Sequence, residues 1–305
     1  MTIDVSIIIV SFNTKALLLN CLHSLHQWAS RLSCEIIVVD NASRDETPEA
    51  VTRNFPRVIV IRNLHNVGFA RANNQGIAIA RGKYMLLLNP DTLFVEDAIT
   101  PLFEFMEARP QAAIAGCKIL NRDGSFQPSY FPLSNLATTA WTALFLDRLA
   151  PLNHVDGRWV LGRGNLSSPA RVQRLLGAYL FVRKETIQHV GTFDESFFLF
   201  GEEEDLCYRA AKQNWEIHYI PTTRIIHLGG QSTVQDNAPA VVHANASKVQ
   251  YFRKHYGALT QLLFRGIWFL ALLMRLSTVL LLRPLRSAEM AKAYLKSLAI
   301  LFQPL

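Results

Sequence analysis

Three observations predict an α/β fold built on a mostly parallel sheet. Tyr84–Leu88 (Y-M-L-L-L) is an unbroken apolar run, the pattern of a strand covered by helices on both faces. Similar runs occupy Val5–Ser11 and residues 35–39, and between them apolar residues return at helical spacing. The intervening connections are short, so right-handed βαβ units follow.

Val5–Ser11 is the first strand, and Phe12, Asn13 and Thr14 end it with residues able to cap a helix. Lys15–Trp28 is that helix, with Leu18, Cys21, Leu22, Leu25 and Trp28 on one face. Residues 35–39 form the second strand, which ends in Asp40, Asn41, Ala42 and Ser43. A short helix starts at Pro48, and a third strand spans 58–61 ahead of Arg62 and Asn63. Asn66-Val67-Gly68-Phe69-Ala70-Arg71 opens a third helix that stops at Gly82.

Tyr84–Leu88 is then the fourth strand, stopped by Pro90. Asn89 and Asp91 are left at the carboxyl edge of the sheet, where open α/β sheets bind ligands. An Asp there suits a hard divalent cation that shares its coordination with phosphate oxygens, while a plain Asn-Pro-Asp turn accounts for the same residues. Asn13, Asp40, Asp45, Arg62, Asn66 and Asp91 are all expected to face one crevice, a nucleotide site in outline. Each singly is also an ordinary turn or cap residue. There is no G-x-G-x-x-G after the first strand and no G-x-x-x-x-G-K-[ST], which argues against a dinucleotide oxidoreductase or a P-loop phosphotransferase.

Residues 123–173 loosen into turns around one helical stretch, 136–149, with Trp141, Phe145 and Trp159, a candidate acceptor side. Residues 175–182 return to strand, expected in the same sheet. Next come three aromatics, Phe197, Phe198 and Phe200, expected to lead out of a buried segment, then Glu202, Glu203, Glu204 and Asp205 opening a helix. Four carboxylates complement a helix dipole; crowded together they also raise one another's pKa, as a general base requires. Residues 215–220 and 223–226 read as two strands, the second delivering His227 ahead of Gly229 and Gly230, either a structural histidine or a ligand to metal or diphosphate.

At 305 residues, 50% hydrophobic and 18% charged, the chain is globular and large enough for one α/β domain with an appendage. Its four cysteines include no C-x-x-C pair, and its N-terminus reads as a first strand and not a signal peptide, so a cytoplasmic location is expected. Nine of the basic residues and only one acid lie between Lys248 and Leu305, so the tail carries +8 and residues 1–247 carry −1 of the net +7. Charge placed with the most apolar part of the chain points to an anionic membrane surface, not to nucleic acid. Residues 262–282 have the length of a membrane span, but Arg265 and Arg275 interrupt them and favour a helix lying in the interface. A second apolar helix is expected over 287–302; docking of both helices on the catalytic domain is the alternative.

Taken together, the stretches S-I-I-I-V-S-F-N, E-I-I-V-V-D-N-A-S-R-D, N-V-G-F-A-R-A-N-N-Q-G-I, L-L-L-N-P-D-T, G-A-Y-L-F-V-R-K, F-D-E-S-F-F-L-F-G-E-E-E-D-L-C-Y-R and H-L-G-G-Q-S resemble the family 2 glycosyltransferases of GT-A fold, in particular the bacterial rhamnosyltransferase-like group. The resemblance spans about residues 3–233. It implies inverting transfer from a nucleotide diphosphosugar, dTDP-rhamnose or another dTDP- or UDP-sugar, to a lipid-linked or saccharide acceptor in cell-surface polysaccharide synthesis. The nucleotide sugar would meet Ser11, Asn13, Asp40, Asp45, Asn66, Arg71 and Asn89; Asp91 and His227 would hold Mg²⁺ or Mn²⁺. Glu203 is the implied base and Asp205 the next candidate, because Glu stands where the family usually has Asp. The implied layout is a catalytic domain over 1–240, with a nucleotide-sugar half (1–120) and an acceptor half (121–240), and a helical tail over 241–305 peripheral to the inner face of the cell membrane. The alternative is a catalytically idle nucleotide-sugar-binding scaffold.

Overall fold

The computed structural model describes residues 2–28, 31–162, 166–229, 237–282 and 288–303. Gly230 to Thr233 of the glycine loop expected after His227 lie outside that range, as do Pro284 and Ser287 of the tail.

The N-terminal half alternates as expected. Strands β1 (Val5–Ser11), β2 (Cys34–Asp40), β3 (Ile59–Arg62) and β4 (Tyr84–Leu88) are parallel, in the order β4-β1-β2-β3, and helices α1 (Lys15–Trp28), α2 (Thr47–Asn54) and α3 (Phe69–Ile79) connect them. Register aligns their carboxyl ends: Ser11 pairs with Asp40, Asp40 with Arg62 and Ile9 with Leu88. All seven residues of β1 are buried, because its faces meet different layers. Ile7 and Ile9 pack with Leu18, Leu22 and Leu25 of α1, while Ile8 and Val10 pack with Ala70 and Ala72 of α3. Each fully buried aliphatic side chain contributes about 1.5–3 kcal/mol relative to exposure, so this strand anchors both layers.

After β4 the chain forms β5 (Thr92–Phe94), α4 (Thr100–Glu107), β6 (Ala112–Leu120), β7 (Phe126–Gln127) and β8 (Tyr130–Phe131). The helical stretch expected over 136–149 is broken: α5 (Leu136–Ala143) and α6 (Leu146–Leu149) flank Phe145, whose φ of 58° cannot continue a helix. Then come β9 (Leu152–Val155), β10 (Arg158–Leu161), β11 (Ala170–Val172), β12 (Arg174–Leu175) and β13 (Tyr179–Arg183). Strand β13 does join the main sheet, but it runs antiparallel between β4 and β6, so the sheet is mixed. Helices α7 (Lys184–Val190) and α8 (Glu202–Lys212) follow. The two strands expected over 215–226 are one, β14 (Glu216–His227), with a register shift between Ile220 and Arg224 that absorbs Pro221.

The tail is three helices, α9 (Asn237–His255), α10 (Ala258–Leu282) and α11 (Ala288–Leu301). They build a third apolar cluster of Tyr251, Phe252, Phe264, Trp268, Leu272 and Leu301, joined by Ala143 of α5 and Phe197 from the loop before α8. Arg275, which seemed from the sequence to interrupt a membrane helix, turns inward: its Nη2 donates to Thr142 O at 3.1 Å and its guanidinium lies over Phe145 and Trp268. The opposite face of α10 leaves Leu259, Leu262, Leu263, Leu270, Leu273 and Leu281 exposed.

Candidate active site

The carboxyl edge of β4 sets the first half of the site. Asn89 N donates to Ala178 O at 3.0 Å and Thr92 Oγ1 donates to Asn89 O at 2.8 Å, which closes the Asn-Pro-Asp turn and starts β5. Strand β5 pairs antiparallel with the end of β14, placing Thr92 opposite His227, and Leu228 N donates to Asp91 O at 2.9 Å. That pairing, between residues far apart in the chain, brings His227 Nε2 to 3.3 Å from Asp91 Oδ1. Both residues are buried.

A third residue fixes the imidazole. His227 Nδ1 lies 2.7 Å from Gln127 Oε1, and the amide nitrogen of Gln127 is directed at Asn121 Oδ1, 2.9 Å away. The amide oxygen can only accept, so Nδ1 carries the proton and donates it. In the neutral ring Nε2 therefore presents its lone pair toward a carboxylate oxygen. Two acceptors at that distance need a cation or a second proton between them. The side-chain amide of Asn89 lies 3.3 Å from the same nitrogen, and turned over it offers a carbonyl oxygen. One carboxylate, one oriented imidazole and one amide fit a divalent ion that keeps other positions for phosphate oxygens.

The crevice expected to take the nucleotide is built by two loops that clasp each other. Asn13, in left-handed backbone at φ 53°, accepts from Arg44 N at 2.8 Å, and its own N–H donates to Ser43 Oγ at 2.9 Å. Asp45 Oδ2 accepts from Lys15 N at 2.9 Å and so caps α1 from outside its own loop, while Oδ1 accepts from Thr47 at the start of α2. Those bonds hold the Asp45 carboxyl below its ordinary range, against a burial that acts to raise it. Ser11 Oγ bonds Thr14 Oγ1 at 2.9 Å. Asp40 is different. Its Oδ2 accepts from Ser43 N at 3.0 Å, but Oδ1 is buried and has no hydrogen-bond partner among the described residues. An unmatched buried acceptor of this kind costs about 1–3 kcal/mol unless a donor arrives.

Asn66 and Arg71 lie on the entry to α3. Asn66 Oδ1 accepts from Asn41 Nδ2 at 2.8 Å and from Gly68 N at 3.0 Å, which shapes the turn. Gly68 has φ +88°, and a Cβ there would come 2.8 Å from Phe198, so the glycine lets α3 dock on the loop before α8. Arg71 is exposed and pairs with Glu195 at 3.6 Å.

The acidic run divides into roles. Phe197 is buried, but Phe198 and Phe200 are partly exposed, so only one of the three aromatics is core. Asp205 is fully buried and receives Arg209 Nε at 2.7 Å, Lys254 Nζ at 2.8 Å and His255 Nε2 at 2.8 Å. Burial acts to raise its pKa; the His255 bond and the two cations outweigh it and hold the carboxyl below its usual value. Glu204 accepts from Ser134 N and, at 2.8 Å, from Arg174 Nη1. Glu202 is buried with Oε2 unpartnered among the described residues; burial, then the charge of Glu203, pushes it well above the ordinary carboxylate range.

Glu203 combines burial with access. Its Oε2 accepts from Gly201 N at 3.1 Å, its Oε1 lies 3.8 Å from Arg174 Nη1, and its side chain retains 14% exposure. Burial raises its pKa and Arg174 partly offsets the rise. Glu203 also packs against Gly177, where a Cβ would sit 3.6 Å from its Cγ. The next residue, Ala178, holds Asn89 N, so residues 177 and 178 stand between Glu203 and the Asp91 turn. Gln127 and Arg174 carried no recognisable signal, because both lie in short strands of the irregular middle segment.

A pocket of about 580 Å³ opens beside Arg174, walled by β8, α5, α6, β9 and Lys248 of α9. Among the described residues no three His, Cys, Asp or Glu side chains cluster as a preformed metal cage.

The family profile described as "Glycosyl transferase family 2" matches residues 6–143, and that described as "Glycosyl transferase family group 2" matches residues 84–302. The chain is 27% identical over 244 residues to an N-acetylglucosaminyl-diphospho-decaprenol L-rhamnosyltransferase of Mycobacterium tuberculosis, covering 75% of this chain and 78% of that protein. It is 24% identical over 239 residues to the dTDP-rhamnosyl transferase RfbF of Shigella flexneri, covering 77% and 72%. Among solved structures, the mannosyltransferase PcManGT of Pyrobaculum calidifontis, in complex with GDP-Man and Mn²⁺, superposes with a TM-score of 0.60 at 17% identity over 98% of this chain and 87% of that one. The fold is thus GT-A. With its matched profiles and rhamnosyltransferase relatives, the chain belongs to the family 2 glycosyltransferases and to their bacterial rhamnosyltransferase-like group.

Proposed function

We propose that this glycosyltransferase transfers a sugar, with inversion, from a thymidine or uridine diphosphosugar to a lipid-linked saccharide, with Glu203 as the general base. The observation that supports the reading is a single sheet edge that carries the buried Asp40 Oδ1, without a partner among the described residues, and an Asp91–His227–Asn89 cluster of donor atoms 3.3 Å apart.

In this reading Asp40 Oδ1, which has no partner among the described residues, accepts from a ring N–H, which thymine and uracil carry at N3 and cytosine and adenine lack. Thymidine is favoured by the resemblance to RfbF, whose name specifies a dTDP-rhamnosyl donor. Asp91, His227 and the Asn89 amide would hold Mg²⁺ or Mn²⁺, which when bound offsets charge on the donor diphosphate. Gln127 keeps His227 in the tautomer that leaves Nε2 free.

On the acceptor side, Glu203 takes the proton of the attacking hydroxyl. The new bond forms at the anomeric carbon from the face opposite the leaving oxygen, and the breaking bond's electron pair goes to the nucleoside diphosphate. Burial leaves Glu203 more basic than a free carboxylate, and the Arg174 charge partly offsets that rise. Asp205, its oxygens committed to Arg209, Lys254 and His255, acts as the brace that fixes the start of α8 to α9.

A lipid-linked acceptor is supported by the decaprenol substrate in the M. tuberculosis relative's name and by the exposed leucine face of α10. Helix Ala258–Leu281 is long and apolar enough to cross a membrane, with 22% of its most apolar window buried against the protein. The inward-facing Arg275 favours a helix lying at the inner face of the membrane, with residues 241–305 as the associating part.

The test is release of nucleoside diphosphate from a panel of dTDP- and UDP-sugars, with Mn²⁺ and a prenyl-diphosphate-linked N-acetylglucosamine as acceptor. Turnover of one donor, lost in both Asp91→Ala and Glu203→Gln, supports the reading. Nucleotide-sugar binding without turnover across competent acceptors would leave a scaffold role.

A further inference from the structure

We infer that Ser247 of α9 is a positioning residue for the reaction: from the tail it holds the turn over residues 199–201 that aims Glu203, so α9 belongs to the catalytic apparatus and is not only a membrane contact. The inference rests on Glu203 as the base and adds the group that sets its geometry.

The backbone ahead of α8 is held out of its preferred region. Phe200 has φ 68° and Gly201 φ 84°, two left-handed residues in succession. Glycine takes that backbone freely, whereas a bulky residue keeps it only where its surroundings hold it there. The Phe200 ring is partly exposed, so its own burial does not fix the turn.

Ser247 meets the turn on both sides of Phe200. Its Oγ donates to Leu199 O at 3.0 Å, and a Cβ on Gly201 would lie 3.4 Å from the Cβ of Ser247. Ser247 is itself buried, so little water competes for that bond. Its place is set by the helix, because His243, Ser247, Gln250 and Lys254 recur at helical spacing and share one face of α9. That face runs along the loop before α8: His243 stacks on Phe198 at 4.8 Å, Gln250 Nε2 donates to Ser196 Oγ at 2.9 Å, and Lys254 Nζ pairs with Asp194 Oδ2 at 2.6 Å. Across the loop, Phe69 N at the start of α3 donates to Phe198 O at 2.7 Å. The loop is therefore clamped between α3 and the tail.

The turn reaches the base through one bond. Gly201 N donates to Glu203 Oε2 at 3.1 Å. Right-handed backbone at Phe200 would rotate the peptide that carries this N–H and take the donor away. The charged groups around Glu203 are Arg174 of β12 and, on its own helix, Glu202 and Glu204. Burial is the largest influence on the Glu203 pKa and raises it, while the Arg174 charge and the Gly201 N–H act to lower it. Loss of the N–H both frees the carboxylate to turn and makes it easier to protonate.

The experiment is steady-state kinetics of the full chain with Mn²⁺, a prenyl-diphosphate-linked N-acetylglucosamine and the dTDP- or UDP-sugar that wild type turns over. Ser247→Ala should lower kcat by about tenfold or more, leave the donor KM within about twofold, and move the acidic limb of kcat/KM to higher pH. Thermal melts and thymidine diphosphate binding serve as controls for folding and for the donor site. A second variant separates positioning from general loosening. Asparagine tolerates left-handed backbone, so in a Phe200→Asn background the further change Ser247→Ala should lower kcat by less than about threefold. Wild-type kcat and an unmoved acidic limb in Ser247→Ala, or an equal loss in both backgrounds, overturns the inference. Glu203→Gln is assayed alongside. Turnover retained there removes the base and this inference with it, whereas an inactive Glu203→Gln beside an unchanged Ser247→Ala sinks the positioning role alone.

Discussion

His227 Nε2 stands 3.3 Å from Asp91 Oδ1 while Gln127 Oε1 holds Nδ1 at 2.7 Å, so a residue from the irregular middle of the chain sets the tautomer of one at the end of β14. Gln127→Ala should therefore weaken Mn²⁺ binding by about 10- to 100-fold, the usual effect of losing the partner that orients a histidine ligand. Turnover should recover at high Mn²⁺, because Gln127 itself touches neither substrate. His227→Ala should not recover. Manganese titration followed by electron paramagnetic resonance, alongside turnover, separates the two.

Asp40 supplies the second prediction. With its Oδ1 free for a ring N–H, wild type should bind thymidine and uridine diphosphates at least about tenfold more tightly than cytidine diphosphate. Asp40→Leu should abolish the discrimination and lower thymidine diphosphate affinity by roughly 10- to 100-fold. Because that change also removes the Ser43 N acceptor, a thermal melt must accompany the calorimetry. Equal affinity of wild type for all three nucleotides would remove Asp40 from the base site.

Much of the N-terminal half was legible because its signals are local. Apolar runs marked β1 and β4 to the residue, and Pro90 marked the end of β4. Asp40 and Asp45 look alike at strand ends, yet Asp45 spends both oxygens on helix starts and Asp40 keeps one unpaired. That difference depends on where the loop after β1 lies, which no local pattern encodes. The antiparallel insertion of β13, the roles of Gln127 and Arg174, and the reach of Lys254 and His255 to Asp205 are long-range in the same sense. The tail was partly legible: the arginine within an apolar helix marked a side unlike the rest, and Arg275 on that side meets α5.

The pH profile should report Glu203. Burial lifts its pKa above the ordinary value of 4.5 and Arg174 pulls it back. The base works ionised, so kcat/KM should rise with pH through that raised value and level off. Arg174→Met removes the opposing charge and should move the acidic limb to higher pH. Stability follows the opposite sign: between 4.5 and the folded pKa, the folded chain holds a proton that the unfolded chain lacks, so this group's contribution falls as pH rises. An acidic limb that stays put in Arg174→Met would take the base assignment away from Glu203.

Membrane association should depend on the outer face of α10. Leu263 and Leu270 are exposed and share one side of the helix, so the double change Leu263→Glu, Leu270→Glu should leave the fold intact. Cosedimentation with phosphatidylglycerol vesicles should drop by more than about tenfold, since each leucine contributes about 1.5–3 kcal/mol when buried. Undiminished sedimentation would place the contact elsewhere.

Asp205 separates bracing from catalysis. Its carboxylate is fully buried and bound by Arg209, Lys254 and His255, tying α8 to α9. Asp205→Asn leaves Arg209 and Lys254 with a neutral partner and should cost about 3–5 kcal/mol, the scale for breaking a buried ion pair from one side. Because its folded pKa is lowered, the stabilisation is present above its unfolded value and disappears as pH falls through the folded one. The melting difference between wild type and Asp205→Asn should therefore be full at pH 7 and shrink in strong acid. Below its melting temperature, the variant should retain measurable turnover with the wild-type acidic limb, whereas Glu203→Gln should stay folded and lose turnover. If Asp205→Asn instead melts like wild type and is inactive, the two carboxylates exchange roles.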